Sequence, residues 1–166
     1  MSLQEGDPAP DFAMEATGNR KVSRAALRGR PFVLYFYPKA DTPGCTKEAS
    51  AFQEALPQLG KLGIDVIGVS RDKMAALEKF AAKYGLTFPL ASDAEGKVSD
   101  AFATWVEKSM YGRTYLGMER STFLIDKDGR IARVWRKVSV PKHAAEVMKA
   151  VVAAVAATSA PVPSPR

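Results

Sequence analysis

The only cysteine of this chain, Cys45, sits in the string Tyr35-Phe36-Tyr37-Pro38-Lys39-Ala40-Asp41-Thr42-Pro43-Gly44-Cys45-Thr46-Lys47-Glu48. A thiol does chemistry when it is held as a nucleophilic thiolate, and the flanking residues supply a way to hold it. The apolar run 31–37 reads as a buried strand. A loop with two prolines and a glycine follows. From Thr46 onward, Glu48, Ala49, Ala51, Gln53, Glu54, Ala55 and Leu56 are mostly good helix formers. Cys45 is therefore expected at or just inside a helix N-terminus. Unpaired backbone N–H groups and the helix dipole favour an anion there, and so favour thiolate over thiol. Taken singly, a cysteine is more often a buried structural thiol. The strand–loop–helix placement reverses that preference.

Pro38, Thr42 and Cys45 follow the pattern proline, three residues, threonine, two residues, cysteine. With Phe36-Tyr37-Pro38-Lys39 ahead of it and Thr46-Lys47-Glu48 behind, the string resembles the peroxiredoxins. The branch it is most similar to is the bacterioferritin comigratory protein, or peroxiredoxin Q. The likeness runs from about Gly6 to about Val151. It implies a thiol-dependent peroxidase that reduces hydrogen peroxide and organic hydroperoxides to water or alcohols through a sulfenic acid on Cys45.

Such a reaction needs a thiolate, an oriented peroxide, and a stabilised charge on the leaving oxygen. The resemblance makes Cys45 the nucleophile. It places the Thr42 hydroxyl where it can bond the sulfur and the incoming peroxide; an ordinary helix N-cap is its plainer role, and both can hold. Pro38 would pack over the sulfur and restrict water, or simply end the strand. The N–H groups of Gly44 and Cys45 are candidates for contacts to the peroxide oxygens. The remaining cation is assigned to Arg120, in Glu119-Arg120-Ser121-Thr122-Phe123-Leu124-Ile125, at the start of an apolar strand where charge is normally unwelcome. An arginine stays charged at any working pH. Glu48, one turn into the helix, is expected to hold Arg120 in place, although helix glutamates are usually solvated.

A sulfenic acid must meet a thiol or it over-oxidises. In the resembled family a second, resolving cysteine stands either five residues after the first or on the following helix. Those positions here are Ser50 and Ala81. An internal disulfide is therefore excluded by composition. The expected mechanism uses one cysteine and an external thiol reductant: thioredoxin, glutaredoxin or a low-molecular-weight thiol. A cysteine replaced by serine would leave the same Ser50, but a natural one-cysteine variant is the simpler reading. Two competing readings are a peroxide sensor or thiol relay that works through a mixed disulfide, and a non-enzymatic thioredoxin-fold binding or chaperone module. Intact Pro38, Thr42, Cys45 and Arg120 argue against the second.

The elements that must position these groups follow from the pattern. Residues 1–12 read as an extended lead-in blocked by prolines. Met14–Val22 resembles a hairpin around Thr17-Gly18-Asn19. Ser23 can cap a turn through Leu27 that Gly29 stops. The cysteine helix should run to about Leu62, with Pro57 inside it. Residues 64–70 form a second β-branched strand. Lys73–Tyr84 is an amphipathic helix with Met74, Leu77, Phe80 and Ala81 on one face. A short extended piece at 88–90 and a short helix over 96–103 follow. Met110–Gly117 reads as a loop. Residues 121–125 and 131–135 read as a hairpin turning at Asp128-Gly129. Pro141 opens a last helix to about Ala157. The order predicts an α/β fold, a mixed sheet with helices on both faces, which is the thioredoxin fold that the resemblance also implies. One domain over 1–157 and a flexible Pro-rich tail over 158–166 are expected.

The net charge of +6 includes six basic and no acidic residues between Arg20 and Lys39. A solvated basic surface explains this better than nucleic-acid binding, because no nucleic-acid motif accompanies it. One cysteine and no signal-like N-terminus point to a reducing compartment, the cytoplasm. No apolar run is long enough to span a bilayer. No cofactor and no metal site are expected: His143, placed near the start of the last helix and read as facing solvent, cannot make a zinc site with one cysteine. Trp105, Tyr111 and Tyr115 are candidates to line an entrance, with plain packing as the default. The resembled branch suggests a monomer or weak dimer.

Overall fold

The structure, a computed structural model, describes residues 3–158. Its elements, in chain order, are β1 (Ala13–Ala16), β2 (Arg20–Ser23), β3 (Phe32–Phe36), α1 (Pro43–Lys61), β4 (Asp65–Ser70), α2 (Met74–Tyr84), β5 (Leu90–Ser92), α3 (Lys97–Ala101), β6 (Trp105–Met110), β7 (Arg113–Met118), β8 (Ser121–Ile125), β9 (Ile131–Trp135) and α4 (His143–Thr158). Seven strands form one sheet in the order β2-β1-β5-β4-β3-β8-β9. β3, β4 and β5 are parallel; β1 on β5 and β8 on β3 are antiparallel, so the sheet is mixed.

β3 is central, and that explains its unbroken apolar run: both faces of the strand are covered. Val33, Tyr35 and Tyr37 join the core that α1, α2 and α4 close, through Phe52, Leu77, Phe80, Val147 and Val151. Phe32, Leu34 and Phe36 join the opposite core with Phe12, Val98, Phe102 and Phe123. Three helices therefore lie on one face, and the short α3 with the N-terminal lead-in lies on the other. This is the thioredoxin fold expected from the sequence.

Most local expectations hold. Gly85 ends α2 in the left-handed conformation (φ +64°). Ser23 Oγ accepts from Ala26 N–H at 3.0 Å. Pro57 lies inside α1 without ending it. The last helix starts at His143 rather than Pro141. The proline-rich tail lies outside the described residues except for Thr158, the last residue of α4.

The loop expected over Met110–Gly117 is instead a hairpin, a correction to the sequence reading. β6 and β7 pair antiparallel from Trp105↔Met118 to Met110↔Arg113 and stand apart from the main sheet. The turn residues Tyr111 (φ +52°) and Gly112 (φ +75°) are both left-handed, the conformation a two-residue hairpin turn requires. Arg71 anchors its base: the guanidinium stacks 3.5 Å from the Trp105 ring and bonds Ser99 Oγ at 2.9 Å.

Candidate active site

Cys45 stands at the third position of α1, after Thr42 at the N-cap position and Pro43 and Gly44 in the first turn. Proline suits that first position, because its missing N–H would have no helical partner anyway. The first helical bond runs from Thr46 N–H to the Thr42 carbonyl at 2.8 Å. The N–H groups of Gly44 and Cys45 therefore stand ahead of the ladder, at the positive end of the helix. Cys45 is only 1% exposed and belongs to the core cluster of Tyr35, Tyr37, Ala49 and Phe52.

The register of β8 against β3 carries Arg120 to this helix start: Ser121, the next residue, pairs with Phe36. The Arg120 carbonyl accepts from Val138 N–H at 2.9 Å. Its guanidinium is shared between two partners. Nη2 lies 3.3 Å from Cys45 Sγ, and Nη1 donates to Glu48 Oε1 at 2.7 Å. Gly44 makes room for it; a Cβ at that residue would lie 3.2 Å from Nη2. Burial works against the Arg120 charge, but Glu48 and Cys45 more than offset it, so the guanidinium titrates above its ordinary value.

Glu48 is 2% exposed and thus far from the solvated helix glutamate of the default. Burial pushes its carboxyl up to about 7, with Arg120 pulling the other way. Its second oxygen, Oε2, is buried with no hydrogen-bond partner, which suits a carboxyl that is readily protonated.

Thr42 holds the N-cap position without the side-chain bond of an ordinary cap. Its hydroxyl donates instead to the Lys39 carbonyl at 2.8 Å. Its hydroxyl proton is thus committed, and the oxygen keeps lone pairs to accept. Pro38 is solvent-exposed at the end of β3 and lines a cleft of about 560 Å³ beside Arg120, with Lys108, Tyr115 and Lys137. The loop between them is latched: Ala40 N–H donates to Asp72 Oδ2 at 2.7 Å, and Tyr84 Oη donates to Asp41 Oδ1 at 2.6 Å.

Ser50 lies in α1 and Ala81 in α2, packed against the helix-side core. Of the aromatic candidates, Tyr115 lines the cleft, Trp105 lies under Arg71, and Tyr111 projects from the hairpin turn at 98% exposure.

His143 corrects the sequence reading. It is buried rather than facing solvent, edge-on to Phe52 and Trp135, with Nε2 2.8 Å from Thr122 Oγ1. Burial lowers it to about 4, against the opposing pull of Glu146, and it is neutral at working pH. It therefore braces α4 against β8 as a neutral ring. The sequence position, at a helix start, gives no signal of the two rings that enclose it. Among the described residues no cluster of three His, Cys, Asp or Glu side chains is placed to hold a metal. Nor is any helix long and apolar enough to cross a membrane.

A thioredoxin fold with one cysteine at a helix start, an arginine on its sulfur and a buried glutamate behind that arginine defines a thiol peroxidase. The comparisons agree: the AhpC/TSA family pattern matches residues 5–134. A putative peroxiredoxin bcp of Coxiella burnetii is 45% identical, over 89% of this chain and 98% of that protein. The Bacillus subtilis peroxiredoxin Bcp is 42% identical, over 90% and 95%. The solved bacterioferritin comigratory protein of Xanthomonas campestris, studied for alkyl peroxide reduction, superposes with a TM-score of 0.83 at 41% identity, covering 87% of this chain and 92% of that one. The chain belongs to the AhpC/TSA family, among its Bcp/peroxiredoxin Q members, and is a thiol-dependent peroxidase.

Proposed function

We propose that Cys45 is the peroxide-reducing nucleophile of a one-cysteine enzyme that acts on hydrogen peroxide and organic hydroperoxides and is restored by an external thiol. The observation that carries this reading is the Arg120 guanidinium, 3.3 Å from Cys45 Sγ and held by buried Glu48. The thiolate attacks one peroxide oxygen. The S–O bond forms as the O–O bond breaks, and the leaving oxygen takes a proton to depart as water or an alcohol. Negative charge passes from sulfur to the leaving oxygen. Arg120 and the N–H groups of Gly44 and Cys45 stabilise it throughout. With its own proton on the Lys39 carbonyl, the Thr42 oxygen accepts the O–H of the incoming peroxide and orients it. Pro38, at the cleft edge, limits water.

The sulfenic acid then meets a thiol, which gives a mixed disulfide and water; a second thiol releases Cys45 and leaves as the disulfide. Ser50 and Ala81 cannot take that part. The alkyl peroxide reduction of the Xanthomonas relative supports organic hydroperoxides as substrates. A lone cysteine supports work in a reducing compartment such as the cytoplasm.

The test is peroxide consumption with a supplied thiol, for the wild type and Cys45→Ser. Thiol-dependent turnover confined to the wild type is expected. Equal consumption by Cys45→Ser, or a wild-type rate no faster than free cysteine, would overturn the reading.

A further inference from the structure

The cleft beside Arg120 carries more positive charge than peroxide reduction needs. A peroxide is small and neutral, and Arg120 already serves the sulfur. Yet Lys108 of β6 and Lys137, just past β9, line the same cleft. Neither has a carboxylate within ion-pair distance among the described residues. Lys108 lies flat on the opposite strand: a Cβ on Gly117 would meet its Cδ at 3.3 Å and its Cε at 3.6 Å. The cleft partly desolvates the Lys108 ammonium and Arg120 repels it, so it titrates below the ordinary lysine value, with Glu119 and Cys45 offsetting part of this. Two carboxylates share the cleft. Glu119 is turned to Arg136, 4.0 Å away, and Glu107 is exposed. An anion entering the cleft would relieve the repulsion between Lys108 and Arg120.

The geometry also bounds the size of the visitor. Cys45 is buried, and Arg120, 3.3 Å from its sulfur, also lines the cleft. A volume of about 560 Å³ has room for a small molecule.

We propose that Lys108 and Lys137 form an anion subsite that seats the carboxylate of a low-molecular-weight thiol, the reductant of oxidised Cys45. This rests on the peroxidase reading above. The bound thiol, as thiolate, attacks the sulfenic sulfur. An S–S bond forms, the S–O bond breaks, and hydroxide leaves with the thiol's proton as water. A second molecule of the same thiol attacks the mixed disulfide, restoring Cys45 and releasing the small disulfide. The two thiols together supply both electrons.

The test separates the two halves of the cycle. Protein oxidised with one equivalent of hydrogen peroxide is checked for sulfenic acid with dimedone. Its reduction is then timed with 3-mercaptopropionate and with 3-mercaptopropionamide, compared at equal thiolate concentration. The carboxylate thiol is expected to be faster by about tenfold at low salt, the size two partly exposed charge contacts provide, and less so at high salt. Lys108→Gln combined with Lys137→Gln should bring the ratio near one, and Lys108→Arg should keep it. Equal wild-type rates, a ratio unchanged in the double variant, or restoration by a protein dithiol alone would overturn the proposal. No sulfenic acid in the wild type would instead strike the peroxidase reading on which it stands.

Discussion

Arg120 makes two contacts with one guanidinium, and its replacement separates what each contact does. Arg120→Met removes the donor 3.3 Å from the reacting sulfur and leaves the buried Glu48 without its partner. Losing one preorganised donor at a developing charge costs about 10²–10³ in rate, or about 3–4 kcal/mol of barrier. Arg120→Lys keeps the charge, but one ammonium cannot reproduce the fork. It should stay with the buried carboxylate and lose about 10–100-fold. Stability follows a different course. Burial already holds Glu48 near 7, and without Arg120 its carboxyl rises further and escapes as the neutral acid. Arg120→Met should therefore fold well at pH 6 and lose stability as pH rises to 9. Arg120→Met combined with Glu48→Gln should recover that stability but not the rate. The assay is stopped-flow oxidation of Cys45 by peroxide, with urea unfolding at each pH. An Arg120→Met protein that is folded and reacts within about threefold of wild type would refute the reasoning.

Gly44→Ala puts a Cβ 3.2 Å from Arg120 Nη2, so the guanidinium must shift by a few tenths of an ångström. Oxidation should slow by roughly several-fold while thermal stability is unchanged or higher, since alanine is the better helix former; an unchanged rate would show that the alignment does not matter. Glu48, raised in the fold from 4.5 to about 7, lends stability that is whole below pH 4.5 and lost as pH rises through 7, up to about 3 kcal/mol. His143, lowered from 6.5 to about 4, lends stability that is present above pH 6.5 and lost as pH falls toward 4. The two oppose each other between pH 4.5 and 6.5, so single variants expose what the wild type hides. Glu48→Gln should lose stability steeply on acidification, and His143→Gln should lose it on the way up through pH 7, both read by denaturant midpoint; parallel profiles for the two variants would contradict both assignments. Arg71→Ala should loosen the β6–β7 hairpin and the α3 segment that Arg71 also bonds, without unfolding the sheet, read as faster amide exchange in residues 96–118 and not in β3, β4 and β8.

What could be read from the residues was what local chemistry specifies. The run 31–37 is apolar on every residue because β3 is covered on both faces, and the helix formers from Thr46 onward put Cys45 at a helix start. Arg120 stood out as a charge at the head of an apolar strand. The β6–β7 hairpin did not, because it presents no continuous buried face and is held at its base by Arg71 on Trp105, a contact between residues 34 positions apart. His143 was misplaced for the same reason: Phe52, Thr122 and Trp135 come from three other elements. Lys108 gave no signal at all, since only folding brings a lysine of β6 into the cleft of Arg120. The Pro-Thr-Cys spacing points to Thr42, but the direction of its hydroxyl, toward Lys39 rather than the sulfur, is a matter of loop geometry.

We propose that the Arg120–Glu48 assembly makes Cys45 the peroxide-reducing nucleophile. This is tested most directly by intact mass after a small excess of hydrogen peroxide, with and without dimedone, beside Cys45→Ser. A fast dimedone adduct is expected on the wild-type protein and none on the variant. A wild-type thiol that reacts no faster than free cysteine would contradict it, and the chain would then have the peroxiredoxin site without its chemistry.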